Sequence, residues 1–149
     1  MKSRQVRSYE VLLRAARLKE SKASIELARA WQLEQLASGE AVMAAERYRD
    51  ATHAREHRVT GKADLALGEY FLFGELCDAL LEQVQRTETE QRDAHNRRIE
   101  AAELASSTKR FAAKVEEELM RRRHAVAAFV EDGRAKEGIE LWLEAGSRM

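Results

Sequence analysis

An apolar residue recurs every seven positions along the first third of this chain, and this spacing constrains the fold more than any other feature. One repeated position is almost entirely alanine: Tyr9, Ala16, Ala23, Ala30, Ala37, Ala44 and Ala51. Its companion position reads Val6, Leu13, Glu20, Leu27, Glu34, Ala41 and Tyr48. A 3.5-residue apolar period is typical of a helix that packs along one narrow seam against a partner helix. The repeat therefore predicts a first helix over about residues 3–58.

Composition supports long, uninterrupted helices. Proline is absent, and charged residues make up 35% of the chain against 6% for aromatic residues. An interior proline costs a helix about 3 kcal/mol, so its absence is what long helices require. Large apolar side chains are too few to fill a thick core, whereas alanine is the strongest helix former and suits a narrow seam.

A second repeat follows a break in the first one. Gly61 offers a helix C-cap and Asp64 offers an N-cap, which predicts a turn at about residues 59–64. A second helix is predicted over about residues 65–132, with a C-terminal tail at 133–149 because Gly133 and Gly138 end the helix. The seam positions of this helix read Ala101, Thr108, Val115, Arg122 and Phe129, and Ala105, Ala112, Leu119 and Val126.

The two repeats together predict an all-α fold, in which residues 1–149 form one domain, a long two-helix antiparallel coiled-coil hairpin. Folding back at Gly61 is expected to place Tyr9 opposite about Ala113. Because heptads alone do not specify helix direction, a parallel dimer of straight helices stays open as an alternative.

Charge and cysteine content narrow the classes of function. The 26 basic residues balance 26 acidic ones, so no global field favours nucleic acid or an anionic membrane. Cys77 stands alone in an apolar run and cannot form an internal disulfide, which fits a reducing cytoplasm. No signal peptide and no run of about 18 apolar residues is present. We expect a soluble cytosolic protein without direct membrane insertion.

One short motif suggests catalysis. His53, Glu56 and His57 match the H-x-x-E-H string of inverted zinc peptidases, and two histidines one helical turn apart could reach one metal ion. A catalytic zinc also needs a third ligand and a walled cavity, which a two-helix hairpin does not supply. We therefore expect no enzyme activity, no cofactor and no metal, with a zinc hydrolase as the alternative.

A basic run near the end of helix two could bind nucleic acid. Three glutamates precede it, however, and the spacing predicts ion pairs between Glu117 and Arg121 and between Glu118 and Arg122. A solvated helix face explains both runs, so we expect no nucleic-acid partner.

Two segments are candidates for contact with other proteins. Residues 2–22 are strongly basic, whereas the start of helix two is acidic, which suggests different partners at the two ends of the hairpin. Residues 70–73 carry three aromatic rings and a leucine that point around every side of a helix. We expect some of them to be exposed and to form a docking surface, unless the turn folds over them.

The whole chain resembles the flagellar export protein FliJ family and its relatives in virulence secretion systems. The resemblance rests on four segments: the basic start Met1-Lys2-Ser3-Arg4, residues 12–20, the apolar segment 70–76, and residues 109–124. It implies a cytoplasmic central-stalk and escort protein of a type III export apparatus, peripherally associated with the inner face of the cell membrane. Such proteins bind and activate the export ATPase hexamer, contact an export-gate membrane protein and receive substrate chaperones, without hydrolysing ATP.

The resemblance also implies two binding regions. The terminal surface, which would bind the ATPase ring, consists of Arg4, Arg7, Arg14, Arg121 and Arg122. The turn surface, which would bind the export gate, consists of Tyr48, Leu72, Leu76, Ala79 and Gln83. The alternative is an unrelated cytosolic coiled-coil adaptor or oligomerisation protein. The sequence leaves open whether the export apparatus is flagellar or belongs to a virulence secretion system.

Overall fold

The structure, a computed structural model, describes residues 2–60 and 67–147, all of which are helical. Helix α1 spans Lys2–Thr60 and helix α2 spans Leu67–Ser147. The two helices pack against each other, which confirms the predicted all-α helical hairpin. The predicted caps at Gly61 and Asp64 lie outside the described residues.

The chain divides into two compact units. The terminal unit contains Met1–Ser24 and Leu104–Met149, and the turn unit contains Ile25–Glu103. In the terminal unit, Arg17 pairs with Glu116 at 2.9 Å. Earlier in α1, Glu10 pairs at 3.0 Å with Arg123, which lies later in α2, so the two helices are antiparallel there.

The turn unit is also antiparallel. Arg58, near the end of α1, lies 3.4 Å from Glu69 near the start of α2. Farther from the turn, the amide of Gln91 donates a hydrogen bond to the hydroxyl of Ser38 at 3.2 Å. These contacts run in the direction that an antiparallel hairpin requires.

Small side chains dominate both cores. The buried apolar residues of the terminal unit are Ala16, Ala23, Ala112, Val115 and Leu119. Those of the turn unit are Ala41, Ala44 and Cys77, and Thr87 is buried beside them. The Thr87 hydroxyl donates to the carbonyl oxygen of Gln83, one turn earlier in α2, at 2.9 Å. Burying alanine yields much less transfer free energy than burying leucine, so each unit is held by a thin apolar seam.

The predicted seam of α1 is confirmed. Every residue at its two repeated positions is buried or half-buried, whereas the large apolar residues beside it are exposed: Leu12, Leu18, Ile25, Leu33 and Val42. The predicted seam of α2 is confirmed for residues 101–126, and Phe129 differs because it is exposed.

The end of helix two differs from the prediction. Helix α2 continues through Gly133 and Gly138 to Ser147, so the segment predicted as a tail is helical over its described part. No described glycine has a positive φ angle, so neither Gly133 nor Gly138 forms the left-handed cap that would stop a helix. Good helix formers such as alanine, glutamate and leucine surround both glycines and offset their low helix propensity.

The register of the hairpin also differs. The ring of Tyr9 is covered by the guanidinium group of Arg122, 4.8 Å from the ring centroid, whereas Ala113 was expected opposite. Arg122 lies nine residues beyond Ala113; the expected register assumed a reversal at Gly61, and the heptad repeat alone does not determine the register. Pairs of specific side chains across the seam therefore select the register of the hairpin.

Candidate functional site

A layer of polar side chains interrupts the apolar seam of the turn unit. We call Trp31, Glu34, His95 and Arg98 the polar layer. The Oε1 atom of Glu34 lies 2.7 Å from Nδ1 of His95, and Nε of Arg98 donates a hydrogen bond to Oε2 of Glu34. The Glu34 and Arg98 side chains are only 15% and 21% exposed, so this ion pair is more shielded from water than the others described in this chain.

The polar layer changes the acidity of its carboxylate. The hydrogen bond with His95, followed by the hydrogen bond and charge of Arg98, holds the pKa of Glu34 below its ordinary value of 4.5. Partial burial opposes this shift because it disfavours the charged carboxylate. Glu34 is therefore a carboxylate that the fold keeps ionised between two cationic or hydrogen-bonding partners.

The seam positions of α2 that lead up to Arg98 were not predicted from the sequence. The interval between residues 87 and 98 reads as polar, yet Thr87, Gln91, Ala94 and Arg98 are all buried or half-buried. These residues are separated by four, three and four positions, and this spacing continues the seam of residues 101–126 toward the N-terminus of α2. Extending that spacing would have found these positions, although it does not reveal which partner each polar side chain meets.

The turn surface is mainly exposed. Leu72, Leu76 and Ala79 are exposed on α2, whereas Tyr48 on α1 and Gln83 are half-buried. The four α2 residues are separated by four, three and four positions, so they share one side of that helix. This arrangement presents an apolar stripe beside the seam.

Aromatic side chains lie nearer the turn, on other sides of α2 than this stripe. Tyr70 and Phe71 meet edge to face, with ring centroids 6.4 Å apart. Arg55 of α1 lies 5.1 Å from the Tyr70 ring centroid and donates to its hydroxyl oxygen at 3.2 Å. Phe71 stays 63% exposed, so the described part of the hairpin does not cover it.

The residues of the terminal surface have two different environments. Arg4, Arg7 and Arg14 are exposed on α1. Arg121 is exposed but pairs with Glu117 at 3.0 Å, as the sequence predicted. Arg122 is half-buried, pairs with Glu118 at 3.3 Å as predicted, and contacts Tyr9. Arg122 is therefore part of the packing between the helices as well as a surface charge.

The motif that suggested zinc chemistry lies on an exposed part of α1. His53, Glu56 and His57 are exposed. Among residues 2–60 and 67–147, no three histidine, cysteine, aspartate or glutamate side chains are grouped to hold a metal ion. Within the same ranges, neither helix contains a stretch long and apolar enough to cross a membrane.

Comparisons of this chain with protein-family models, with curated proteins and with solved structures find no match.

Proposed function

We propose that this chain is a non-enzymatic component of a type III protein export apparatus, with the terminal surface binding the export ATPase ring and the turn surface binding the export gate. In this proposal the protein activates the ATPase, receives substrate chaperones and stays cytoplasmic, peripherally associated with the membrane. The resemblance to the FliJ family suggests these partners, and two surfaces of the hairpin support them.

The exposed apolar stripe of the turn unit is the observation that carries the proposal. Leu72 is 66% exposed and Leu76 is 49% exposed. Burying such area stabilises a complex by about 25 cal/mol per Å², and contiguous exposed apolar patches commonly mark binding sites. A partner that covers this stripe would gain binding free energy that the hairpin itself does not use.

Charge supports the contact between the terminal surface and the ATPase ring. Arg4, Arg7 and Arg14 are exposed on one side of α1, together with Lys22, and no acidic residue shares that side. A one-signed surface steers and selects a partner of the opposite charge. An acidic surface on the ATPase ring would meet this requirement.

The ATP hydrolysis rate of the export ATPase, measured with and without this protein, tests the first contact. We expect stimulation by the wild type and no hydrolysis by the protein alone. The variant Arg7→Glu/Arg14→Glu should need about tenfold more protein for half-maximal stimulation. Lys109→Glu/Arg110→Glu makes the same charge change on exposed residues of α2 and should behave as the wild type. Absence of both binding and stimulation would reject the proposal.

Binding to the cytosolic part of the export gate tests the second contact. Leu72→Glu and Leu76→Glu should each weaken binding by about tenfold or more, because each places an unpaired charge in an apolar contact. Leu104→Glu has an exposure of 50%, similar to that of Leu76, but lies in the terminal unit and should bind normally. Equal losses for all three variants would show that the turn surface is not the contact.

The alternative, a coiled-coil oligomerisation protein, is favoured by a different observation. An uncharged face of α1, opposite the seam, is exposed in the turn unit. This uncharged face predicts that the protein self-associates in the absence of the ATPase.

A further inference from the structure

One half of α1 in the terminal unit carries positive charge and no negative charge. Its basic residues are all exposed: Arg4, Arg7, Arg14, Lys19 and Lys22. At about 100° per residue they lie within about half of the helix circumference, along about 27 Å of its axis. Within residues 2–60 and 67–147, none of them forms an ion pair with a carboxylate. Their charges are therefore available to an external partner.

The acidic residues of the same stretch belong to the packing between the helices. Glu10 pairs with Arg123 of α2 at 3.0 Å, and Glu20 occupies a seam position. Both residues are half-buried. The opposite half of α1 is therefore free of negative charge because both carboxylates lie on the side that meets α2.

Aliphatic side chains lie among these positive charges. Val11, Leu12 and Leu18 are 65%, 41% and 58% exposed, and they fall in the same half of α1. We call these three residues and the five basic ones the basic half. Sequence-independent contact with nucleic acid is made to phosphates, so exposed aliphatic side chains would contribute nothing to it. A membrane surface accommodates both kinds of side chain, because aliphatic groups enter the acyl boundary while Lys and Arg extend to the headgroups.

We propose that the basic half of α1 binds the surface of an anionic membrane, with α1 lying parallel to the membrane plane. Charge complementarity with anionic headgroups selects this occupant, and the aliphatic residues add apolar contact. Positive charges spread over half of a helix circumference suit a flat anionic surface, whereas a single partner helix covers a narrower stripe.

The inference rests on the proposed peripheral association with the membrane, for which it names the lipid class and the residues. The membrane and the ATPase ring would share Arg4, Arg7 and Arg14, so a chain bound to one is not available to the other. Lipid binding is measured with this protein alone. A failure to bind lipid therefore leaves the proposed ATPase contact standing, and a failure to stimulate the ATPase does not affect the lipid result.

Co-sedimentation of the full-length protein with vesicles tests the proposal. Vesicles of equal amounts of phosphatidylglycerol and phosphatidylcholine should bind at least about tenfold more tightly than vesicles of phosphatidylcholine alone. Raising the salt from about 0.1 M to about 1 M shortens the Debye length from about 10 Å to about 3 Å and should remove most of this binding. Equal binding to both kinds of vesicle overturns the proposal, and binding to neither overturns it in favour of an acidic protein partner.

Charge reversal tests which residues make the contact. Each Lys or Arg near an anionic surface strengthens binding about fivefold, so Arg7→Glu/Arg14→Glu should weaken vesicle binding at least about 25-fold. Lys109→Glu/Arg110→Glu makes the same charge change on exposed residues of α2 in the same unit and should bind as the wild type. Equal losses for the two variants overturn the location on α1.

An aliphatic substitution separates a membrane surface from other polyanions. Leu18→Ser should weaken vesicle binding at least about threefold, because it removes apolar area without changing charge. Ile139→Ser is the matched control, since Ile139 is 59% exposed against 58% for Leu18 and also lies in the terminal unit. Unchanged binding of Leu18→Ser would show that charge alone makes the contact, and this result or an equal loss for Ile139→Ser overturns the proposal.

Discussion

The guanidinium group of Arg98, on α2, lies 4.3 Å from the ring centroid of Trp31, on α1. The same guanidinium donates a hydrogen bond to Glu34, so one side chain holds an aromatic ring and a carboxylate of the opposite helix. In the turn unit, a charged contact therefore occupies a seam position at which a coiled coil usually has an apolar pair.

Removing the ring of Trp31 should destabilise the hairpin modestly. Trp31→Ala loses the cation–π contact and part of the apolar cover over Arg98, and we expect a loss of about 1 kcal/mol in the free energy of unfolding. Urea denaturation at low protein concentration measures it. Trp142→Ala removes a ring that is 76% exposed and should change little. Equal losses from both variants would contradict the role of the contact.

Stability should fall with acidification partly through Glu34. Its pKa in the folded chain lies below the ordinary 4.5, mainly because of the hydrogen bond with His95, so the ionised form stabilises the fold above that value. This contribution is lost as pH falls through the folded-state pKa. Melting temperatures between about pH 7 and about pH 3 should therefore drop less steeply for Glu34→Gln than for the wild type.

His95→Gln provides the matched variant for this acid response, because it removes the largest cause of the lowered Glu34 pKa and keeps the carboxylate. Its melting temperature should decline less below about pH 4.5 than that of the wild type. A steeper decline would show that the hydrogen bond between His95 and Glu34 does not stabilise the folded state.

Larger side chains at seam positions should destabilise the fold. Ala16 is 2% exposed, and Ala16→Leu is expected to cost about 1–3 kcal/mol because the helices would have to separate to admit it. The adjacent Ala15 is exposed, so Ala15→Leu is a control for helix propensity and should be nearly neutral. Thermal unfolding of both variants checks this, and a stabilised Ala16→Leu would show that the seam is not closely packed.

In the C-terminal part of α2, a substitution should stabilise the helix. Gly138 lies in a helix interior with no atom within 4 Å of an added Cβ, so Gly138→Ala should stabilise the local helix by about 0.5–1 kcal/mol. Hydrogen exchange of the amides around residue 138 should slow. Faster exchange would mean that Gly138 ends the helix in a left-handed conformation, as the sequence predicts.

The heptad spacing was sufficient to predict the fold class and the seam. Each position from Val6 to Ala51 that the repeat assigned to the seam is buried or half-buried, because burial follows directly from where side chains point on a helix. The polar layer could not be predicted in the same way. Arg98 and Gln91 occupy seam positions as polar residues, and only their partners on α1 explain why burial is tolerated.

The heptad repeat alone does not determine the register of the hairpin or the residues at which its helices end. Pairing Tyr9 with Arg122 instead of Ala113 reflects contacts distant in sequence. The sequence predicts a stop at Gly133 because glycine often occupies a left-handed cap, but such a cap forms only when the backbone takes that conformation. For the surfaces, Leu72 and Leu76 are exposed and their docking role stays a prediction, whereas the repeat already placed Arg122 at the seam and the structure adds its contact with Tyr9.

The polar layer has a mechanical consequence for the turn unit. If α1 were pulled along its axis relative to α2, the pair of Glu34 and Arg98 would have to separate before the helices could slip by seven residues. After such a step, Glu34 would meet Gln91 or Ala105 and its charge would lose its ionic partner. Alanine layers offer little resistance to sliding, so this charged layer resists a slip of α1 along α2 within the turn unit.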